Sequence, residues 1–405
     1  MTDRRPSLQA VENRIRDLKP SSLRGAAPLS LMLVIVIIGW QALEVSDLFG
    51  SVLNSPFWIV PHLAWSALLF TVGYLLAERA ARKAIEDDLI DLATTGYIPL
   101  LIILATTAII LGPAVTTNLR SQYFDDPQLW NYFLNAVAWP HFTLPGVFEF
   151  NNVSGTVNEV FWTLPAVAFA VLASIVGLRL GLIVVGAVIL LGSLGKLGRI
   201  AIDGPTALAL AGGLAAQIGI IAFRLRKRIR IGLPLAAVLV VALTACAYFG
   251  RNGNLADPLS LEIIAILVSP IAFLLARQRL PLREIGGAAA PYLVPAVLVA
   301  FPIQQLGSSK LSSSLLAVVL TFALIAVASV GTLAVARLIS KMLWPDAIEK
   351  VAPLAIPSTA KPKFGMRRRR RDLQPLLLTY MALVVIMLAV LMMTVFALSR
   401  NPWDN

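Results

Sequence analysis

Cysteine, histidine and charge are all scarce in this 405-residue chain. Its single cysteine, Cys246, rules out an internal disulfide. Only His62 and His141 are available, so a histidine-built metal centre is not expected and the reading carries no metal. Charged residues make up 14% against 58% hydrophobic, a balance that excludes disorder and is foreign to a soluble domain. Mean hydropathy is +0.80 over 43.6 kDa, more apolar surface than one water-facing core can bury. No P-loop, Rossmann glycine pattern, HExxH or CxxC is present, so the familiar soluble-enzyme motifs are absent.

What the chain has instead is long apolar runs. A helix needs about 17 to 25 apolar residues to cross the hydrocarbon core. Eleven such runs fall near 28–46, 56–77, 97–115, 160–177, 179–195, 205–224, 231–249, 258–276, 286–304, 311–338 and 374–398. They are too long and too uniformly apolar for barrel strands, and helices satisfy their own backbone in lipid. The expected fold is an all-α, polytopic membrane bundle with a ten-span core and one added C-terminal span. The N-terminal segment is polar, and no small-residue cleavage site follows the first apolar run, so the first span reads as a retained anchor.

Charge sorts the loops. With the N-terminus cytoplasmic, 28 of the 34 Lys and Arg residues fall on the cytoplasmic side. Merging the fourth and fifth runs would put the RLRKRIR cluster at 224–230 outside, so the bias favours separate spans. The net charge of +12 is then a topology signal and an attraction for anionic lipid rather than a nucleic-acid footprint. The chain divides into a cytoplasmic segment at 1–27, a transmembrane domain at 28–338, a basic linker at 339–373 and a final span with a short tail at 374–405. The stretch 116–159 reads as an external loop. Its Trp130, Tyr132, Phe133, Trp139 and Phe142 suit a segment at the headgroup level.

Ionisable groups in or beside spans are the candidates for chemistry, because burying them there is costly. His62, some six residues into the second span, is read either as a general base or proton relay or as a hydrogen-bonded interhelical histidine. Glu159 borders the fourth span, and Glu262 reads as an interfacial carboxylate at the outer end of the eighth. His141 lies between Pro140 and Phe142 in the loop and reads as solvated, with reach toward a substrate as the alternative. Arg79 and Arg82 sit on consecutive turns just inside the second span. Such a pair could grip phosphates; positive-inside anchoring, with Glu78 and Glu86 as helix partners, is the plainer reading.

Several segments occur in a telling order: SSLRGAAPLSLMLVIV (21–36), LLFTVGYLLAER (68–79), ILGPAVTT (111–118), QYFDDPQLWNYFLNA (122–136), LPGVF (144–148) and VNEVFWTLP (157–165). Together they resemble the acyltransferase-3 family of membrane acyltransferases from about residue 20 to 180. The resemblance implies transfer of a short acyl group, acetyl foremost, from acyl-CoA to a sugar of a surface polysaccharide, in a bacterial inner membrane. Beside that resemblance, the catalytic candidates are Arg24 and, taking over roles whose family residues are missing, His62 and Glu159; Arg79 and Arg82 are cofactor-binding candidates in place of the family's arginine pair, and Asn158, Trp162, Thr163 and, from its place in the loop, His141 are substrate-binding candidates. The resemblance also implies membrane lipids and a glycan or lipid-linked sugar as partners.

The pattern departs from the family where a histidine base is expected. Val34, Ile35 and Val36 occupy that turn of the first span. Glu159 replaces a glycine, Val167 a glutamate, and LATTGYIP (92–99) lacks the family's arginine pair. A non-catalytic relative serving polysaccharide transport or assembly is therefore the alternative reading. A secondary transporter ranks last, because Pro165 and Pro302 do not form the paired helix breaks such folds show.

Overall fold

The structure is a computed structural model that describes residues 25–46, 59–81, 85–176, 204–226, 258–277, 283–310 and 315–345, with a few more between 234 and 245. It is all-helical over these residues. Six helices are long and apolar enough to cross a membrane, and the chain is a helical multi-pass membrane bundle. The fifth and eleventh spans and the 339–373 linker lie wholly or largely outside the described residues, as does most of the seventh.

The long helices are α1 (Ala26–Val45), α2 (Val60–Ala80) and α3 (85–115). Two short loop helices follow, α4 (Arg120–Asp125) and α5 (Pro127–Tyr132). Then come α6 (Thr163–Val176), α7 (Gly204–Leu225), α8 (Pro258–Arg277), α9 (Arg283–Lys310) and α10 (Leu315–Leu343). Helix α3 starts earlier than the apolar run at 97–115, because the acidic turn IEDDLIDL is already helical. It also contains two π-helical turns, Ala93–Tyr97 and Thr106–Leu111. Hydroxyls of Thr94, Thr95, Thr106 and Thr107 donate to carbonyls one turn back, at 2.8, 2.7, 2.7 and 2.6 Å. They satisfy themselves within the helix, which lipid requires.

Helix α2 is the hub, and its most extensive partner is α7. Their backbones meet at glycines. A methyl group on Gly73 would sit 2.0 Å from the Ala216 carbonyl oxygen, and one on Gly219 would sit 2.1 Å from that of Phe70. Small residues at the contact let two membrane helices gain packing that larger ones forbid. Around this seam Phe70, Tyr74, Phe223 and Phe273 form one core, with the Tyr74 and Phe223 rings edge to face at 5.3 Å. A second core joins α1, α3 and α9 to the loop, through residues such as Ile37, Leu104, Val147 and Phe161. Helix α10 lies outermost: 28% of its span is buried, against 61% for α1, α2 and α7. Leu324, Val327, Val330 and Leu338 face outward and suit a lipid contact.

Hydrogen bonds fix which ends meet. The Gly25 amide donates to the Ala276 carbonyl at 2.9 Å, joining the start of α1 to the end of α8. At the opposite end, the loop 116–158 covers the ends of α1 and α9. Asn152 Nδ2 donates to Val45 O at 3.0 Å, and Gln305 Nε2 donates to Val153 O at 2.8 Å and Thr156 O at 3.0 Å. The loop is tied internally by Thr116 Oγ1 donating to Pro145 O at 2.7 Å and by two isolated β-bridges, Thr116 with Val147 and Thr143 with Thr156.

The loop aromatics do not all behave as a headgroup belt. Trp130 and Trp139 are exposed, whereas Tyr132 is fully buried with its hydroxyl 3.1 Å from Thr107 Oγ1. Tyr123 is buried too, donating to the Ala108 carbonyl at 2.7 Å inside the second π turn. A methyl on Gly112 would lie 2.0 Å from that Tyr123 hydroxyl, which explains the glycine of ILGPAVTT.

Candidate functional site

Five of the described long helices begin at the loop end, α2, α6, α7, α8 and α10, and the first four converge there. Prolines in the first turns of three of them, Pro61, Pro205 and Pro258, occupy positions where the missing amide proton costs nothing. Helix α6 is introduced by a 3-10 turn, Glu159–Trp162, capped by Asn158, whose Oδ1 accepts from the Val160 amide at 3.2 Å. Helices α6 and α7 run in the same direction.

A narrow cleft opens where these helix starts converge. His62, Trp65 and Ser66 of α2, Trp162 of the 3-10 turn before α6, Leu208 and Gly212 of α7, and Leu261 of α8 line it. Its free volume is about 10 Å³, room for a group the size of a water or a hydroxyl. Trp65 and Trp162 meet edge to face, with centroids 5.2 Å apart and planes at 71°. Gly212 makes room for this pair, since a methyl there would fall 2.9 Å from Trp162 Cζ3. The cleft is therefore built by α2, the turn before α6, α7 and α8, and α1 does not line it.

The other candidates are distributed around it. The Glu159 carboxyl lies beside that of Glu44 in the last turn of α1. Asn158 is fully buried, and its Nδ2 donates to Leu298 O of α9 at 2.7 Å, so both ends of its amide hold the fold together. Thr163 Oγ1 donates to Val160 O at 2.8 Å. His141 stands apart from the cleft. Its backbone is bracketed by the Asn135 side chain, with Asn135 Nδ2 donating to His141 O at 2.8 Å and the His141 amide donating to Oδ1 at 2.9 Å. Its Nε2 is buried and unpartnered rather than solvated. Glu262 is likewise buried, 2% exposed, with one carboxyl oxygen unpartnered.

Arg79 lies at the opposite end. Its Nε donates to Asp88 Oδ1 at 3.0 Å, and its terminal nitrogen to Asp91. Both carboxylates belong to the first turns of α3 and are almost fully buried. The guanidinium fork is thus occupied by two acids, neither of them the Glu78 or Glu86 expected from helix spacing. Arg24 and Arg82 lie outside the described residues.

In the loop, burial pushes the Tyr123 phenol up to about 12 and the Tyr132 phenol higher still, with the Thr107 hydrogen bond opposing part of the latter. Both are held as neutral donors at any ordinary pH. Sequence reading missed Glu44, Ser66, Trp65 and the Asp88 and Asp91 pair. Only the last left a signal, acids three residues apart directly after a basic run. No protein-family model matches the chain, and neither does any curated protein or solved structure.

Proposed function

We propose that this protein is a membrane-embedded acyltransferase of the acyltransferase-3 type in a bacterial inner membrane. In this reading it moves a short acyl group, acetyl foremost, from acyl-CoA to a hydroxyl of a surface or extracellular polysaccharide. The observation that carries the reading is His62 set in a cleft sized for one hydroxyl, at the point where four helix starts meet. An imidazole there can take the acceptor hydroxyl's proton as its oxygen attacks the thioester carbonyl. The carbon–sulfur bond then breaks, the ester forms and the thiolate leaves to take up a proton. Helix starts carry partial positive charge and unpaired amide protons, which favour the negative charge that develops on the carbonyl oxygen. Trp162 would pack against the acceptor. Asn158 and Thr163, already bonded within the fold, would position that wall rather than touch substrate.

The donor's phosphates are not served by Arg79 while Asp88 and Asp91 hold it; Arg82 remains the cationic candidate. That occupied guanidinium, with Val34, Ile35 and Val36 where the family carries its histidine, favours the alternative reading of a non-catalytic relative serving polysaccharide transport or assembly. Purified protein in lipid nanodiscs, given radiolabelled acetyl-CoA, separates the two. The acyltransferase reading expects release of CoA that falls about 10²- to 10⁴-fold in His62→Ala. Turnover unchanged by that substitution removes His62 from the chemistry. Absence of acetyl-CoA binding up to millimolar concentration leaves the non-catalytic reading.

A further inference from the structure

A groove of about 410 Å³ lies on the loop end of the molecule, walled by Thr117, Phe148, Glu149, Phe150, Asn151 and Asn152 and closed by Ser308 of α9. Its volume falls in the range of small-molecule sites, roughly 300 to 1,000 Å³. Nothing in the mechanism above uses it.

The wall is built to stay in place. Asn151 Nδ2 donates to Gln305 O at 2.9 Å and Gln305 Oε1 at 2.7 Å, and Asn152 Nδ2 donates to Val45 O. Thr117 Oγ1 donates to Glu149 Oε2 at 2.9 Å, and Ser154 Oγ donates to Glu149 O at 2.7 Å. Phe148 is held at φ 55°, a left-handed conformation that a bulky residue keeps only where its surroundings over-determine it. The amides of Asn151 and Gly155 both donate to its carbonyl, at 3.2 and 3.1 Å. Strain of this kind gathers at ligand sites.

The chemistry of the wall follows from which atoms these bonds leave over. Each asparagine leaves its Oδ1 as an acceptor, and Asn152, whose Nδ2 makes one bond, also keeps one N–H to donate. Glu149 retains a second carboxylate oxygen, also an acceptor. The groove therefore asks its ligand for hydrogen-bond donors. Among the described residues its lining has no lysine or arginine and includes the Glu149 carboxylate, which disfavours phosphate and carboxylate ligands. Phe150 is 89% exposed, leaving an aromatic face with no partner in the fold. Several acceptors beside one bare aromatic ring match a neutral polyhydroxylated ring, whose hydroxyls donate and whose C–H face packs on the phenyl.

We infer that this groove is a saccharide-binding subsite, distinct from the His62 cleft, that holds a sugar residue of the acceptor. The inference rests on the sugar acceptor of the proposed function but not on acyl transfer. Asn152, bonded to Val45 O, places the groove one residue from Glu44 and so beside the carboxyl pair.

The test is saturation-transfer difference NMR on the full chain in nanodiscs, with glucose, galactose, mannose, N-acetylglucosamine and N-acetylgalactosamine as probes. At least one sugar should show transfer that is lost in both Phe150→Ala and Glu149→Gln, with melting temperature unchanged because both side chains are exposed. If no sugar gives a signal sensitive to Phe150, or if calcium binds at Glu149 and no sugar does, the inference is overturned. Competition between the free sugar and a glycolipid carrying it identifies a soluble or a lipid-linked source. Sugar binding without acetyl-CoA turnover would sustain the subsite and remove the transferase. Acetyl transfer to a sugar with a KM unmoved by Phe150→Ala would do the reverse; the subsite expects a rise of about tenfold.

Discussion

Arg79 shows how far a single side chain can depart from what its neighbours in sequence suggest. Its position beside Arg82 points to a phosphate grip, yet the fold turns α3 back so that Asp88 and Asp91 meet it. Arg79→Ala would strand two nearly buried carboxylates, and we expect a loss on the order of 3 kcal/mol, read as a lower melting temperature in detergent. Adding Asp88→Asn and Asp91→Asn to that variant should restore much of it. Were Arg79 a donor clamp instead, the single variant would raise the KM for acetyl-CoA and leave melting unmoved. Gly112 offers a second test, because any Cβ there displaces the Tyr123 hydroxyl from the Ala108 carbonyl. Gly112→Ala should cost about 1 to 3 kcal/mol, and Tyr123→Phe a comparable amount through the unpaired carbonyl. The buried phenols also set an alkaline limit. A folded-state pKa raised above the ordinary 10 means that the folded form keeps its proton longer than the unfolded one. Stability from Tyr123 is therefore complete below about pH 10 and declines as pH rises toward 12. Ultraviolet titration of phenolate should show Tyr123 and Tyr132 ionising only as the loop melts.

Among the elements, the α2 and α7 contact is the one whose loss would be felt most widely. Gly73→Ala or Gly219→Ala pushes a methyl into a facing carbonyl, and either should lower the melting temperature more than the same change at Gly213, which has open space around it. Equal effects at all three positions would contradict the close approach. Hydropathy made the described spans legible because each helix must cover the hydrocarbon width, whatever its neighbours do. It could not give the pairing, which depends on small residues such as Gly73 facing a particular carbonyl and leaves no mark in hydropathy. The early start of α3 was hidden for the same reason, since its acidic turn is helical but not apolar. Glu159 was visible as a carboxylate at a span end. Its partner Glu44 was not, because the loop that joins them is ordered by side-chain amides at Asn152 and Gln305, which carry no periodic signal. Asn158 and Thr163 stood out in a motif, yet what the motif encodes there is a cap and a tie to α9.

For the whole molecule, the alternation of ends is the property to measure. In a Cys246→Ser background, Trp139→Cys lies in the exposed loop, whereas Arg82→Cys follows the other end of α2. Sidedness from the cationic loops expects a membrane-impermeant maleimide to label the first in intact cells and the second only after permeabilisation. The reverse pattern would invert the orientation while leaving the helix packing untouched. The aromatic pair at the cleft gives the molecule a gauge of its own occupancy. Because Trp65 and Trp162 touch each other and border a space no larger than a water, anything larger that enters must first part the two indoles, and their emission will shift before any product is made.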